Sequence, residues 1–109
     1  MTEEMVRLLT DEYAAKILMA TYGRERDALS LSRELEIPIA ACYRRIHALE
    51  KNGLLECTGE KMGRQGKKIK FYRSTLKNAR IEFVNGRLVA RLQFVNGEKR
   101  EIAVSRPAT

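Results

Sequence analysis

His47 is the single histidine of the chain, and Cys42 and Cys57 are its two cysteines. A histidine that works as a general base needs a nucleophile and an orienting partner, and no Ser/His/Asp or Cys/His grouping with motif context surrounds His47. The cysteines do not form a Cys-x-x-Cys ligand pair. On a helix carrying both Cys42 and His47 the two fall on different sides, so the residues do not assemble a metal set. The ordinary expectation is that Cys42 and Cys57 are small buried side chains packed near each other. Gly59 to Lys67 is glycine-rich but lacks the Gly-x-x-x-x-Gly-Lys-Ser/Thr spacing that cradles phosphates. These residue types speak against an enzyme and call for no cofactor; an effector, metal or small molecule, stays unspecified.

The basic residues carry more information. Twenty-one Lys and Arg stand against fourteen Asp and Glu in 109 residues, a formal net charge of +7. The excess is local. Lys61, Arg64, Lys67, Lys68, Lys70, Arg73, Lys77 and Arg80 fall within residues 61–80, which hold no acid at all, whereas residues 1–60 are net acidic. A concentrated positive field gathers a polyanion as a diffuse one does not, and nucleic acid is the leading candidate partner.

Those cations need a scaffold, and at this length the expectation is one small soluble domain. The hydrophobic share of 44% suffices for a core. The acidic start Met1-Thr2-Glu3-Glu4 does not resemble a signal peptide, and no apolar run approaches the roughly 18 residues of a membrane span. Two cysteines do not make a disulfide framework. The expectation is a reduced, cytoplasmic protein without a membrane partner.

Thr10-Asp11-Glu12 supplies a cap and acids for a first predicted helix, in which Ala14, Ile17, Leu18 and Thr21 recur at helical spacing until Gly23. The preceding Glu3–Leu9 stretch, with Met5, Leu8 and Leu9, has the pattern of a further turn or two of helix packed alongside. Asp27 caps a short second helix through Leu35, and Pro38 sets the entry to a third over 39–52, with Cys42, Ile46 and Leu49 on its inner face and Gly53 as its stop. Alternating strands follow near Leu54–Thr58 and Ile69–Arg73, a long basic hairpin interrupted by Gly59, Gly63 and Gly66. Asn85-Gly86 and Asn96-Gly97 each match a type I′ turn, so a three-stranded meander is predicted near 79–84, 87–95 and 98–104. Its middle strand puts Leu88, Ala90, Leu92 and Phe94 on one face, which requires a cover from the helices or from a second subunit.

The segments Asp11–Leu18, Leu31–Pro38 and Cys42–Leu55 resemble winged-helix transcription regulators of the ArsR-like group, especially archaeal members, over about residues 10–76. The resemblance implies that the third helix reads the major groove of double-stranded DNA, that the hairpin acts as a wing on the flanking backbone or minor groove, and that the protein is a homodimer. The fold expected is α+β: a winged helix-turn-helix with three N-terminal helices, a β-hairpin wing and a C-terminal antiparallel meander. Residues 1–76 would form the DNA-binding unit, and 77–109 a meander packed on it or forming a dimer surface.

The residues support that placement independently, because a helix in the major groove must present side chains away from its own core. On the third helix these are Ile39, Ala40, Ala41, Tyr43, Arg44 and His47. Arg44 can take guanine or a phosphate, Tyr43 can meet a phosphate or a thymine methyl, and Ala40 and Ala41 permit close approach. Arg45 lies on the flank, free either to contact DNA or to pair with Glu50 or Glu36. On the wing the candidates are Arg64, Gln65, Lys67 and Lys68. Two rival classes remain open at this point: a winged-helix protein-interaction module of a larger assembly, and an RNA-binding protein, for which Tyr43 and Tyr72 would be a sparse stacking platform.

Overall fold

The computed structural model describes residues 2–104. Met1 and residues 105–109, the outer ends of the two predicted units, lie outside the described residues. Four α-helices and six β-strands run in the order α1 (Thr2–Thr10), α2 (Glu12–Thr21), β1 (Arg26–Asp27), α3 (Ala28–Leu35), α4 (Ile39–Lys51), β2 (Leu55–Met62), β3 (Lys68–Ser74), β4 (Leu76–Val84), β5 (Arg87–Phe94) and β6 (Lys99–Val104). The mixed α+β class agrees with the expectation, but the helices number four instead of three. The segment predicted to hold at most a turn or two is a full helix, α1, which buries Met5, Val6 and Leu8.

Helices α2 and α3 begin at acidic caps. Asp11 accepts the Ala14 N–H at 2.9 Å, and Asp27 accepts the Ser30 N–H at 3.2 Å and the Ser30 hydroxyl at 2.6 Å, satisfying N–H groups that have no partner inside a helix. The α3–α4 turn is three residues, Glu36 to Pro38. Glu36 closes α3 in the left-handed conformation (φ 55°, ψ 45°) with its N–H on the Ser32 carbonyl, and Ile37 dips into the core. A glutamate accepts that conformation here because the turn is otherwise satisfied: the Ile37 N–H also reaches the Ser32 carbonyl at 3.0 Å.

Two antiparallel three-stranded sheets follow, ordered β1-β3-β2 and β4-β5-β6. The short β1, absent from the sequence reading, sets Arg26 opposite Tyr72 and Asp27 opposite Phe71. Both hairpin strands exceed their predicted lengths, because Gly59 does not interrupt β2: its φ of 153° marks a register shift between Cys57 and Gly59, after which pairing resumes to Met62. The two Asn-Gly turns also part company. Asn85 (φ 48°) and Gly86 (φ 78°) make the expected two-residue turn. Asn96 has no positive φ, and the Phe94 N–H bonds the Glu98 carbonyl at 2.8 Å while the Gly97 N–H bonds the Phe94 carbonyl at 2.9 Å, which makes a three-residue loop with Gly97 alone left-handed.

One continuous core joins helices and second sheet. Ile17, Leu31, Ile46 and Leu49 from α2 to α4 cluster with Met5 and Leu8 of α1 and with Ala90, Leu92, Phe94 and Ile102 of the sheet. The face that needed a cover therefore has one on its β5–β6 side, where α1 packs against β6. Thr75 ties the sheets together: its hydroxyl donates to the Gly53 carbonyl at 2.6 Å, its N–H to that of Leu54 at 3.0 Å, and its own carbonyl accepts the Val95 N–H at 2.8 Å. Among the described residues, no helix is long and apolar enough to cross a membrane.

Candidate nucleic-acid interface

Helix α4 spans thirteen residues, about 20 Å at 1.5 Å per residue, enough to lie along a major groove. Cys42, Ile46 and Leu49 are fully buried, which fixes its rotation. Ile39, Ala40, Tyr43, Arg44 and His47 are consequently exposed, with the Tyr43 and His47 rings adjacent one turn apart at 6.2 Å between centroids. Ala41 is the exception among the predicted outward residues. It is only 7% exposed and packs in the core, because it lies one turn before Arg45 on the flank of α4 that packs against α2.

The helix is locked in this rotation by a residue whose role was open. Arg45 reaches neither Glu50 nor Glu36; it grips Asp11 with two hydrogen bonds, Nε to Oδ2 at 3.0 Å and Nη2 to Oδ1 at 3.3 Å, and lies 5.5 Å over the Tyr13 ring. The guanidinium hydrogen bond holds the Asp11 carboxyl below the ordinary aspartate range and the Arg45 guanidinium above its own. Asp11 thus caps α2 and anchors α4 at once, a link between residues 34 apart in sequence.

The hairpin begins just past the end of α4. The Leu54 N–H returns to the Leu49 carbonyl at 2.9 Å, Gly53 takes a φ of 75°, and β2 starts at Leu55. At its base Tyr72 of β3 is buried, and burial raises its phenol above the usual range, with smaller contributions from Glu50 and Tyr43 of α4 and from Cys57 and Glu60 of β2. Helix α4 itself packs against the start of the hairpin at β2. Toward the tip, Gly63 leads into a single tight turn, Arg64–Gly66, in which Gln65 has φ 61°.

The cations of the basic segment do not share one fate. Lys61 is tied down, 3.1 Å from Glu25 and 4.6 Å above the Phe71 ring; Glu25, which also accepts the Thr58 hydroxyl at 2.7 Å, sits below the ordinary glutamate range through those two donors, Thr58 first. Lys77 and Arg80 belong to β4, outside the hairpin. Arg64, Gln65, Lys67 and Lys68 are exposed on the hairpin, and among the described residues neither these three cations nor Arg44 form an ion pair.

The thiols divide as well. Cys42 is buried, its Sγ 3.6 Å from the Ala28 carbonyl, and burial raises its pKa. Cys57 is exposed, since β2 projects from the body of the protein and is buried only at Leu55, so the expected pair of packed thiols does not form.

No curated protein matches the chain. Residues 9–58, which run from the end of α1 through α2, α3 and α4 into β2, match the family described as a helix-turn-helix domain, a family found in ArsR-like regulators, and this match suggests a DNA-binding regulator.

Proposed function

We propose that the protein is a sequence-specific regulator of transcription that binds double-stranded DNA, with the exposed side of α4 in the major groove and the hairpin on the flanking backbone as a wing. In this reading it is an ArsR-like winged helix-turn-helix protein of archaeal type that acts in the cytoplasm as a homodimer, with 1–76 as the DNA-binding unit and 77–109 as the meander. The observation that carries the proposal is an exposed Arg44 on α4 together with exposed cations at Arg64, Lys67 and Lys68 on the hairpin that follows it, none of them in an ion pair among the described residues. Base edges specify and phosphates position. Arg44 takes the first role, with Tyr43, His47, Ile39 and Ala40 shaping the contact; the wing residues, Gln65 included, take the second.

The test is a comparison of duplexes. A site selected from random DNA by the wild-type protein should lose about 1–3 kcal/mol of binding on Arg44→Ala, with little loss on random duplex. Equal losses on both would reduce Arg44 to a backbone contact. No shift of any duplex at low salt would favour a protein-interaction module, and preference for single-stranded RNA over duplex would favour an RNA-binding role.

A further inference from the structure

Strand β4 is the long free edge of the second sheet, nine residues exposed over most of their length. Val84 and Arg87 flank the two-residue turn, so that pair exchanges both of its hydrogen bonds, and the alternation along the ladder turns Glu82 and Arg80 toward β5. Ala79, Ile81 and Phe83 then direct their N–H and C=O groups outward. Free edges are commonly blunted by bulges, prolines or charge. The β2 edge has its register shift at Gly59, β6 is shorter and packs against α1, and β4 has a shift of its own between Leu76 and Asn78, but beyond it residues 79–83 contain neither glycine nor proline and pair without a break.

The side chains along this edge are incomplete in a single copy. Arg80 stands opposite Arg91, and Arg91 already holds Glu82 and Glu101, which leaves Arg80 beside a like charge and in no ion pair among the described residues. On the other face Phe83, 75% exposed, and Ile81, 39% exposed, continue the row of Leu88 and Ala90 out to the edge.

We propose that two copies of the chain join edge to edge along β4, antiparallel, with Ile81 opposite Ile81 of the second copy. This register sets each Arg80 opposite Glu82 of the second copy and each Phe83 opposite the small Ala79, while the outward N–H and C=O groups of 79, 81 and 83 pair. Moving the two-fold axis one residue either way places Arg80 on Arg80 or Glu82 on Glu82, and like charges directly opposite are unfavourable. The result is a continuous six-stranded sheet with both helical halves on one side. The inference takes from the functional reading only that the chain works as a pair.

The test uses the full chain without DNA, by sedimentation equilibrium. Wild type should be dimeric; Arg80→Glu, which creates two like-charge pairs, should raise the dimer dissociation constant roughly tenfold, and Arg80→Glu with Glu82→Arg should restore it. In a Cys57→Ser background, Ile81→Cys should oxidise to a disulfide-linked dimer, since facing Cα atoms about 5.5 Å apart suit a disulfide, while Ala79→Cys, displaced from its own copy by four residues along the strand, should not. A monomeric wild type, an Arg80→Glu variant as dimeric as wild type, a double variant that stays weak, or equal cross-linking at 79 and 81 would overturn the proposal. A dimer with the expected behaviour that binds no duplex contradicts only the DNA reading, and a monomer that binds duplex contradicts only the edge pairing.

Discussion

The two sheets both carry cations and place them differently relative to acids. On the second sheet Arg91 is held by Glu82 and Glu101, and Arg100 by Glu98 while lying 5.1 Å over the Phe94 ring, whereas Lys77 and Arg80 of β4 form no ion pair among the described residues. Hydrogen bonding, from Glu101 first, raises the Arg91 pKa. On the first sheet the outer part of the hairpin has no such acids, and Arg64, Lys67 and Lys68 face solvent. What attracts a polyanion is therefore not the number of cations but how many are left without a counter-charge at short range, where Coulomb energy is greatest.

That contrast can be broken first at the core the two regions share. Phe94→Ala should destabilise the protein by about 3–5 kcal/mol, because Phe94 is almost fully buried in one cluster with the helices. Thermal unfolding followed by helical and aromatic signals should still show a single transition, and two separated transitions would mean that the halves unfold independently.

The next largest effect belongs to the hairpin. Replacing Lys67 and Lys68 by Gln should weaken every duplex alike and, at a slope of about −0.9 per phosphate contact, make the salt dependence shallower by about two. Arg91→Gln should leave duplex affinity unchanged if its charge is already spent on Glu82 and Glu101. An equal loss from both changes would erase the distinction between the sheets.

A smaller effect is expected at the Asp11–Arg45 clamp. Both side chains are a little under one-third exposed, and Arg45→Ala should cost about 1 kcal/mol. The pH dependence has a definite sign. Asp11 has a lowered pKa when folded, so its contribution is present above the ordinary aspartate value and is lost as pH falls through the lowered folded value. Asp11→Asn should flatten the acid limb of a stability-versus-pH curve, and an unchanged limb would show that the clamp contributes nothing to stability.

Much of this architecture is legible in sequence where the signal is local. Asp11 and Asp27 announce helix starts, the 3.6-residue recurrence of Cys42, Ile46 and Leu49 orients α4, and Asn85-Gly86 has the φ values its turn requires. What depends on distant partners is not legible. Asn96-Gly97 repeats the same dipeptide, yet the β5–β6 register there demands three loop residues. Arg45 has nearer acids in sequence than Asp11, and only the packing of α4 against α2 selects its partner. The exposure of Cys57 follows from how far β2 projects, which alternation alone does not reveal.

The most direct measurement of the central claim is the dissociation constant for a short duplex as a function of salt, for wild type and for the Lys67/Lys68 double variant side by side. Log affinity should fall linearly with log salt for wild type, with a slope shallower by about two for the variant. Parallel lines of equal slope, or a wild-type protein that leaves duplex DNA unbound at low salt, would contradict it.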